Sequence, residues 1–87
     1  MRTVVVTREQ RDYAREVREW LREYDRRAGT PAEVVDPDSR EGIGFTGAYD
    51  LMEFPAVMVL QDDGAVVSIW RGTPMPPIDE VRGRASS

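Results

Sequence analysis

Cysteine, histidine and lysine are all missing from this 87-residue chain, and each absence removes a chemistry. Without cysteine there is no disulfide staple, no thiolate nucleophile and no thiolate metal site. Without histidine there is no imidazole ligand and no side chain that ordinarily titrates near neutrality. The lack of lysine leaves all 12 basic side chains as arginine, a bias read as the codon composition of a GC-rich genome rather than as function. Those 12 face 16 carboxylates, for a net charge of −4, so the surface repels phosphate backbones and no nucleic-acid partner is expected. Long apolar runs are absent too. The opening Met1-Arg2-Thr3-Val4-Val5-Val6 is too short for a signal peptide, and nothing approaches the roughly 18–20 apolar residues of a bilayer span. The expectation is a cytoplasmic protein with no membrane partner, no metal and no cofactor.

What is present is globular: 40% of residues are hydrophobic and 32% charged. The length suits one domain, placed at residues 1–82, with a flexible tail at 83–87. Thr3 to Thr7 is β-branched throughout, as in a strand buried on both faces. From Glu9 to Ala28, Tyr13, Val17, Trp20, Leu21, Tyr24 and Ala28 recur at helical spacing, which predicts an amphipathic helix closed by Gly29 and Pro31. A short strand follows at Ala32–Val35. Asp36-Pro37 offers an N-cap and a first helical position, and Gly42, Gly44 and Gly47 predict a helix distorted at its front and regular over Ala48–Glu53. Ala56–Leu60 and Ala65–Trp70 flank Gln61-Asp62-Asp63-Gly64, a hairpin signal. A short helix is predicted from Pro77 to Arg82.

The order βαβ then ββα resembles thioredoxin and glutaredoxin. The likeness is most specific at Tyr49-Asp50-Leu51-Met52-Glu53-Phe54-Pro55, running into the apolar Ala56–Leu60, then Asp62-Asp63-Gly64 and Arg71-Gly72; it covers about residues 3 to 81. The resemblance implies a thioredoxin-like α/β fold, with a four-stranded mixed sheet of order 2-1-3-4 and two or three helices. It also implies a cis bond between Phe54 and Pro55. In the family a Cys-x-x-Cys opens the first helix; Arg11-Asp12-Tyr13-Ala14 stands at those positions, so thiol-disulfide exchange is excluded. The glycine-glycine and Ser-Asp signature of a glutathione site is missing.

Other motifs have duller explanations. Gly42-Ile43-Gly44-Phe45-Thr46-Gly47 matches G-x-G-x-x-G, but six residues separate it from the preceding strand and Pro55 stops the helix behind it. Asp36 and Asp38 suit caps, and Asp62-Asp63 a turn. Trp20, Tyr24 and Phe54 suit a core, whereas Trp70 beside Arg71 forms a second possible surface. The functional expectation is therefore a redox-inactive module that binds a peptide or protein, or a second copy of itself. Its groove would be walled by Phe54 and Pro55 on one side, as the resemblance implies, and by Arg8, Arg11 and Tyr13 on the other. No catalytic residue is assigned. Two alternatives stand beside this reading: an enzyme using carboxylate or arginine groups in the former active-site groove, and a structural homodimer subunit.

Overall fold

The computed structural model describes residues 1–86. The elements are β1 (Arg2–Val6), α1 (Ala14–Ala28), β2 (Glu33–Val35), α2 (Arg40–Tyr49), β3 (Ala56–Leu60), β4 (Val66–Arg71) and α3 (Ile78–Ala85). They form one four-stranded sheet of order β2-β1-β3-β4, with β1 parallel to β2 and the other neighbours antiparallel. The strand order and mixed character match those expected. No helix among the described residues is long and apolar enough to cross a membrane.

The valine run of β1 is buried on both faces because helices cover the sheet on both sides. Val4 and Val6 join Met58, Leu60, Leu51 and Val35 in one core, sealed by Phe45 and Tyr49 of α2. Val5 points the other way, into a core with Val57, Val59, Val17, Trp20, Tyr24 and Val81, under α1 and α3. All five residues of β3 are buried, as its central place requires. Thr3, on the α1 side, hydrogen-bonds its buried hydroxyl to that of Tyr24 at 2.8 Å, so neither polar group is stranded.

Several boundaries differ from the sequence reading. α1 starts at Ala14, not Glu9: its buried stripe begins only there, and residues 8–13 form a turn in which the Ala14 N–H bonds the Arg11 carbonyl at 3.0 Å. Its end is as expected, with Gly29 left-handed at φ 77°. α2 is capped by Ser39, whose hydroxyl accepts from the Gly42 N–H at 2.9 Å, whereas Asp36 turns back on its own loop by accepting from the Asp38 N–H. The glycine-bearing front is the regular part of α2, and the helix ends at Tyr49 rather than Glu53, because Asp50 adopts the left-handed conformation at φ 54°. Packing overrides propensity here. Phe45 and Tyr49, one turn apart with ring centroids 4.8 Å apart, anchor that front half to the core. The Tyr49 hydroxyl also donates to the Gly64 carbonyl in the β3–β4 turn at 2.7 Å. α3 continues past Arg82 to Ala85, so the tail expected from residue 83 is helical over its first residues, with Ala85 against the core; Ser87 lies outside the described residues.

Candidate functional site

The turn between β1 and α1, the loop between β2 and α2, and the segment leading into β3 meet at the C-terminal end of β1. Arg8 joins them. Its guanidinium makes a forked pair with Asp38, at 2.9 and 3.2 Å, and lies over the Phe54 ring, 4.8 Å from the centroid. A planar cation offers one edge to a carboxylate and one face to an aromatic ring, a combination lysine does not supply. Arg8 is half-buried, Pro55 is buried and Phe54 packs its inner side on the α2 core.

The remaining groove residues expected from sequence lie around the same turn. Arg11 is exposed and shares a shallow open cleft with Arg8, Gln10, Asp36 and Asp38. Tyr13 packs against the opposite core, beneath the start of α1, and its hydroxyl reaches the Arg8 guanidinium, the same cation that covers Phe54. The Thr7 hydroxyl is buried without a hydrogen bond. Trp70 and Arg71 lie on β4 at the sheet edge, with the indole half-buried on the α1 side and Arg71 exposed. Asp38 is the residue that sequence reasoning missed. Its place before α2 suits a cap, and nothing local announces a partner 30 residues away.

A third wall comes from the segment after β4. Gly72, left-handed at φ 77°, donates its N–H to the Pro55 carbonyl at 2.7 Å, and a side chain there would strike the Glu53 carboxylate. The following Met75 N–H is held by the Glu16 carboxylate at 2.7 Å, and the Pro76 carbonyl by the Trp20 indole N–H at 2.7 Å. Both anchors are on α1. The Phe54–Pro55 and Thr73–Pro74 peptide bonds are cis. Among the described residues no hydrogen bond reaches the main-chain N–H or C=O of Phe54.

The carboxylates divide between the two ends of the sheet. Asp36 and Asp38 flank the turn at Arg8, whereas Asp62 pairs with the N-terminus at 3.0 Å and Asp63 caps the hairpin by accepting from the Ala65 N–H. Five residues of extended β1, roughly 17 Å, separate the pairs. Hydrogen bonds from Arg8 hold the Asp38 carboxyl below its ordinary 3.8, with Arg11 adding a smaller pull. That is an ion pair's signature rather than that of a group poised to take a proton near neutrality.

This lowering has a signed consequence. A carboxyl whose pKa is depressed by folding contributes stability above its unfolded value and loses it as pH falls through the folded value. Glu23, held down by Arg26, and Glu33, held down by Arg2, act in the same direction from their ordinary 4.5. Stability against urea is expected to be level from neutrality to about pH 5 and to decline below about pH 4. Arg8→Ala should return Asp38 toward 3.8, read from the titration of its carboxyl-carbon resonance. An unchanged titration would mean that the pair does not persist in solution.

No family model matches the sequence, and no curated protein matches it. Among solved structures, thioredoxin 1 from the thermophilic eubacterium Thermosipho africanus superposes with a TM-score of 0.69 at 13% sequence identity, over 99% of this chain and 91% of that one. At that identity the likeness establishes the fold: this chain has the thioredoxin fold, without a cysteine.

Proposed function

We propose that this chain is a redox-inactive thioredoxin-fold module that binds an extended peptide segment of a protein partner, without catalysis, in the groove beside Phe54 and Pro55. The observation carrying the reading is the unpaired main chain of Phe54. An extended peptide laid along that residue would exchange main-chain hydrogen bonds with it, as a strand adds to an edge. The resemblance to thioredoxin supports the same use of this segment. The geometry needs no sulfur. Arg8 contributes by holding the Phe54 ring from one side while its charge is consumed by Asp38, so it acts as a positioning residue. Arg11, exposed and without an ion pair among the described residues, is the cation left to meet a partner. Tyr13 packs beneath the start of α1 and meets the Arg8 guanidinium with its hydroxyl.

The test starts from a displayed random-peptide library selected against the full chain, with the binding site of a selected peptide mapped by amide chemical shifts. The largest shifts are expected at Phe54 and at the amides of residues 8–13. Arg11→Ala should weaken that peptide about tenfold, the scale of a modest hot spot. Shifts clustered elsewhere, or binding indifferent to Arg11, would place the functional surface away from this groove.

A further inference from the structure

The outer face of α1 carries a line of one charge. Ala14, Val17, Trp20 and Tyr24 are buried on its inner side. Arg15, Arg18, Arg22 and Arg26 follow each other at three- and four-residue steps, which at 3.6 residues per turn sets them in one row opposite that stripe. All four are exposed, and at 1.5 Å per residue the row is about 16 Å long. Carboxylates bound it closely, with Glu16, Glu19 and Glu23 on the flank toward α3 and Asp25 on the other. Most of these are engaged within the chain: Glu16 accepts from the Met75 N–H, and Glu23 pairs with Arg26 and Arg27. Arg15 pairs with Glu19 at 3.3 Å, but both are well exposed and such a pair holds little energy. Arg18 and Arg22, at the centre of the row, make no ion pair or hydrogen bond among the described residues. Like charges three and four residues apart on a helix repel each other, so the row is unfavourable until something of opposite sign meets it.

We propose that the outer face of α1 docks an acidic helix of a partner protein, one with carboxylates at the same three- and four-residue steps. The geometry of the row selects this occupant. Two helices lying side by side rise equally per residue, so carboxylates spaced like the arginines meet each of them in turn. An extended chain advances about 6.7 Å for every two residues, against about 5.5 Å per arginine, and falls out of step within the row. A nucleic-acid duplex or a lipid surface is wider than the row and would press its phosphates onto the flanking carboxylates. A second copy is a poor occupant, because its own acidic row is already engaged by Met75, Arg15, Arg26 and Arg27. With no apolar side chain in the row, the contact steers and orients more than it holds, and salt screens it. Arg11 stands in the turn ahead of Arg15, so a partner held beside Phe54 is placed to use the row as well.

Two stapled helical peptides, titrated into the full chain and followed by amide chemical shifts, test this. Both carry four glutamates; one sets them at the steps of the arginine row, and the other spreads them round the helix. At low salt the ordered peptide is expected to move the amides of Arg15, Arg18, Arg22 and Arg26 and to bind at least about tenfold tighter than the spread one. Added salt should weaken it progressively. Arg18→Gln combined with Arg22→Gln keeps good helix formers and removes two charges, and should lose about tenfold in affinity for the ordered peptide. Both side chains are exposed, and circular dichroism verifies the fold of the variant. Equal binding of the two peptides, a double variant that binds like the wild type, or shifts that leave α1 out overturns the proposal. Tighter binding of a single-stranded oligonucleotide or a phosphatidylserine vesicle through the same arginines overturns it too, since the row would then belong to phosphate. A stapled helix cannot lie as a strand beside Phe54, so this inference and the peptide-groove reading fail separately.

Discussion

Met58→Ala is expected to remove about 2–5 kcal/mol of stability, the usual cost of emptying a fully buried site of this size. Met58 is 0% exposed, lies in the middle of the central strand and faces Val4, Leu60 and the rings of α2. Strands flank it on either side, with Val4 on β1 and Ile69 on β4 directly opposite, so the neighbours have little freedom to collapse into the space. A chain of 87 residues holds only about 4–13 kcal/mol in total, at 0.05–0.15 kcal/mol per residue. The loss should lower the melting temperature by about 8–40 °C, from 4–8 °C per kcal/mol in domains of this size, and at the upper end leave little folded protein at 37 °C. Thermal unfolding followed by circular dichroism is the measurement. A drop under about 5 °C would mean that the two-sided core is packed more loosely than the structure shows.

The second large effect is a contrast within one helix: Gly42→Ala and Gly44→Ala are expected to move stability in opposite directions. A Cβ added at Gly42 would stand 1.8 Å from the carbonyl oxygen of Asp36 and 2.8 Å from the Pro37 Cα, both backbone atoms of a turn stapled by its own hydrogen bonds. Something must shift, either the turn carrying Asp38 or the start of α2. Overpacking of this kind costs about 1–3 kcal/mol and occasionally more. At Gly44 and Gly47 an added Cβ meets nothing within 4 Å, and both residues are helical. Alanine there should stabilise by about 0.5–1 kcal/mol each, because it restricts the unfolded chain and suits a helix interior. Urea unfolding of the three variants reads the signs directly. A Gly42→Ala protein as stable as the wild type would show that the close approach of α2 to the Asp36 turn does not exist in solution. The G-x-G-x-x-G pattern thus has one glycine explained by a neighbouring carbonyl, not by a phosphate.

How far the sequence carried the reading differs from element to element. Strands were legible because burial leaves a direct mark on composition: the all-valine middle of β1 and the unbroken apolar run of β3 leave no room for another periodicity. The hairpin was legible from Asp63-Gly64, with Gly64 in the turn at φ 92°. The first turn of α1 was misplaced because Glu9 to Asp12 suit a helix by propensity but bring no buried residue to it. α2 was misplaced because Asp36 and Ser39 both satisfy local capping rules. The choice between them was made by Gly42 lying flush on the Asp36 carbonyl and by Phe45 and Tyr49 needing to face the core, neither of which is a local property.

The candidate site divides along the same line. The amino-acid sequence alone excludes thiolate, disulfide and imidazole chemistry, since a missing element cannot be restored by folding. It also carried the order of strands and helices, because two-sided burial and connection length are written into periodicity; the mixed sheet of order 2-1-3-4 came from the resemblance to thioredoxin. The work of the polar residues was fixed by the folded arrangement. It sent Arg8 to Asp38 and Phe54, seated Tyr13 beneath the start of α1 with its hydroxyl toward Arg8, and left the Phe54 main chain unpaired. Periodicity records burial, which each residue experiences alone, whereas an ion pair or an open edge depends on segments that meet only after the chain has closed on itself.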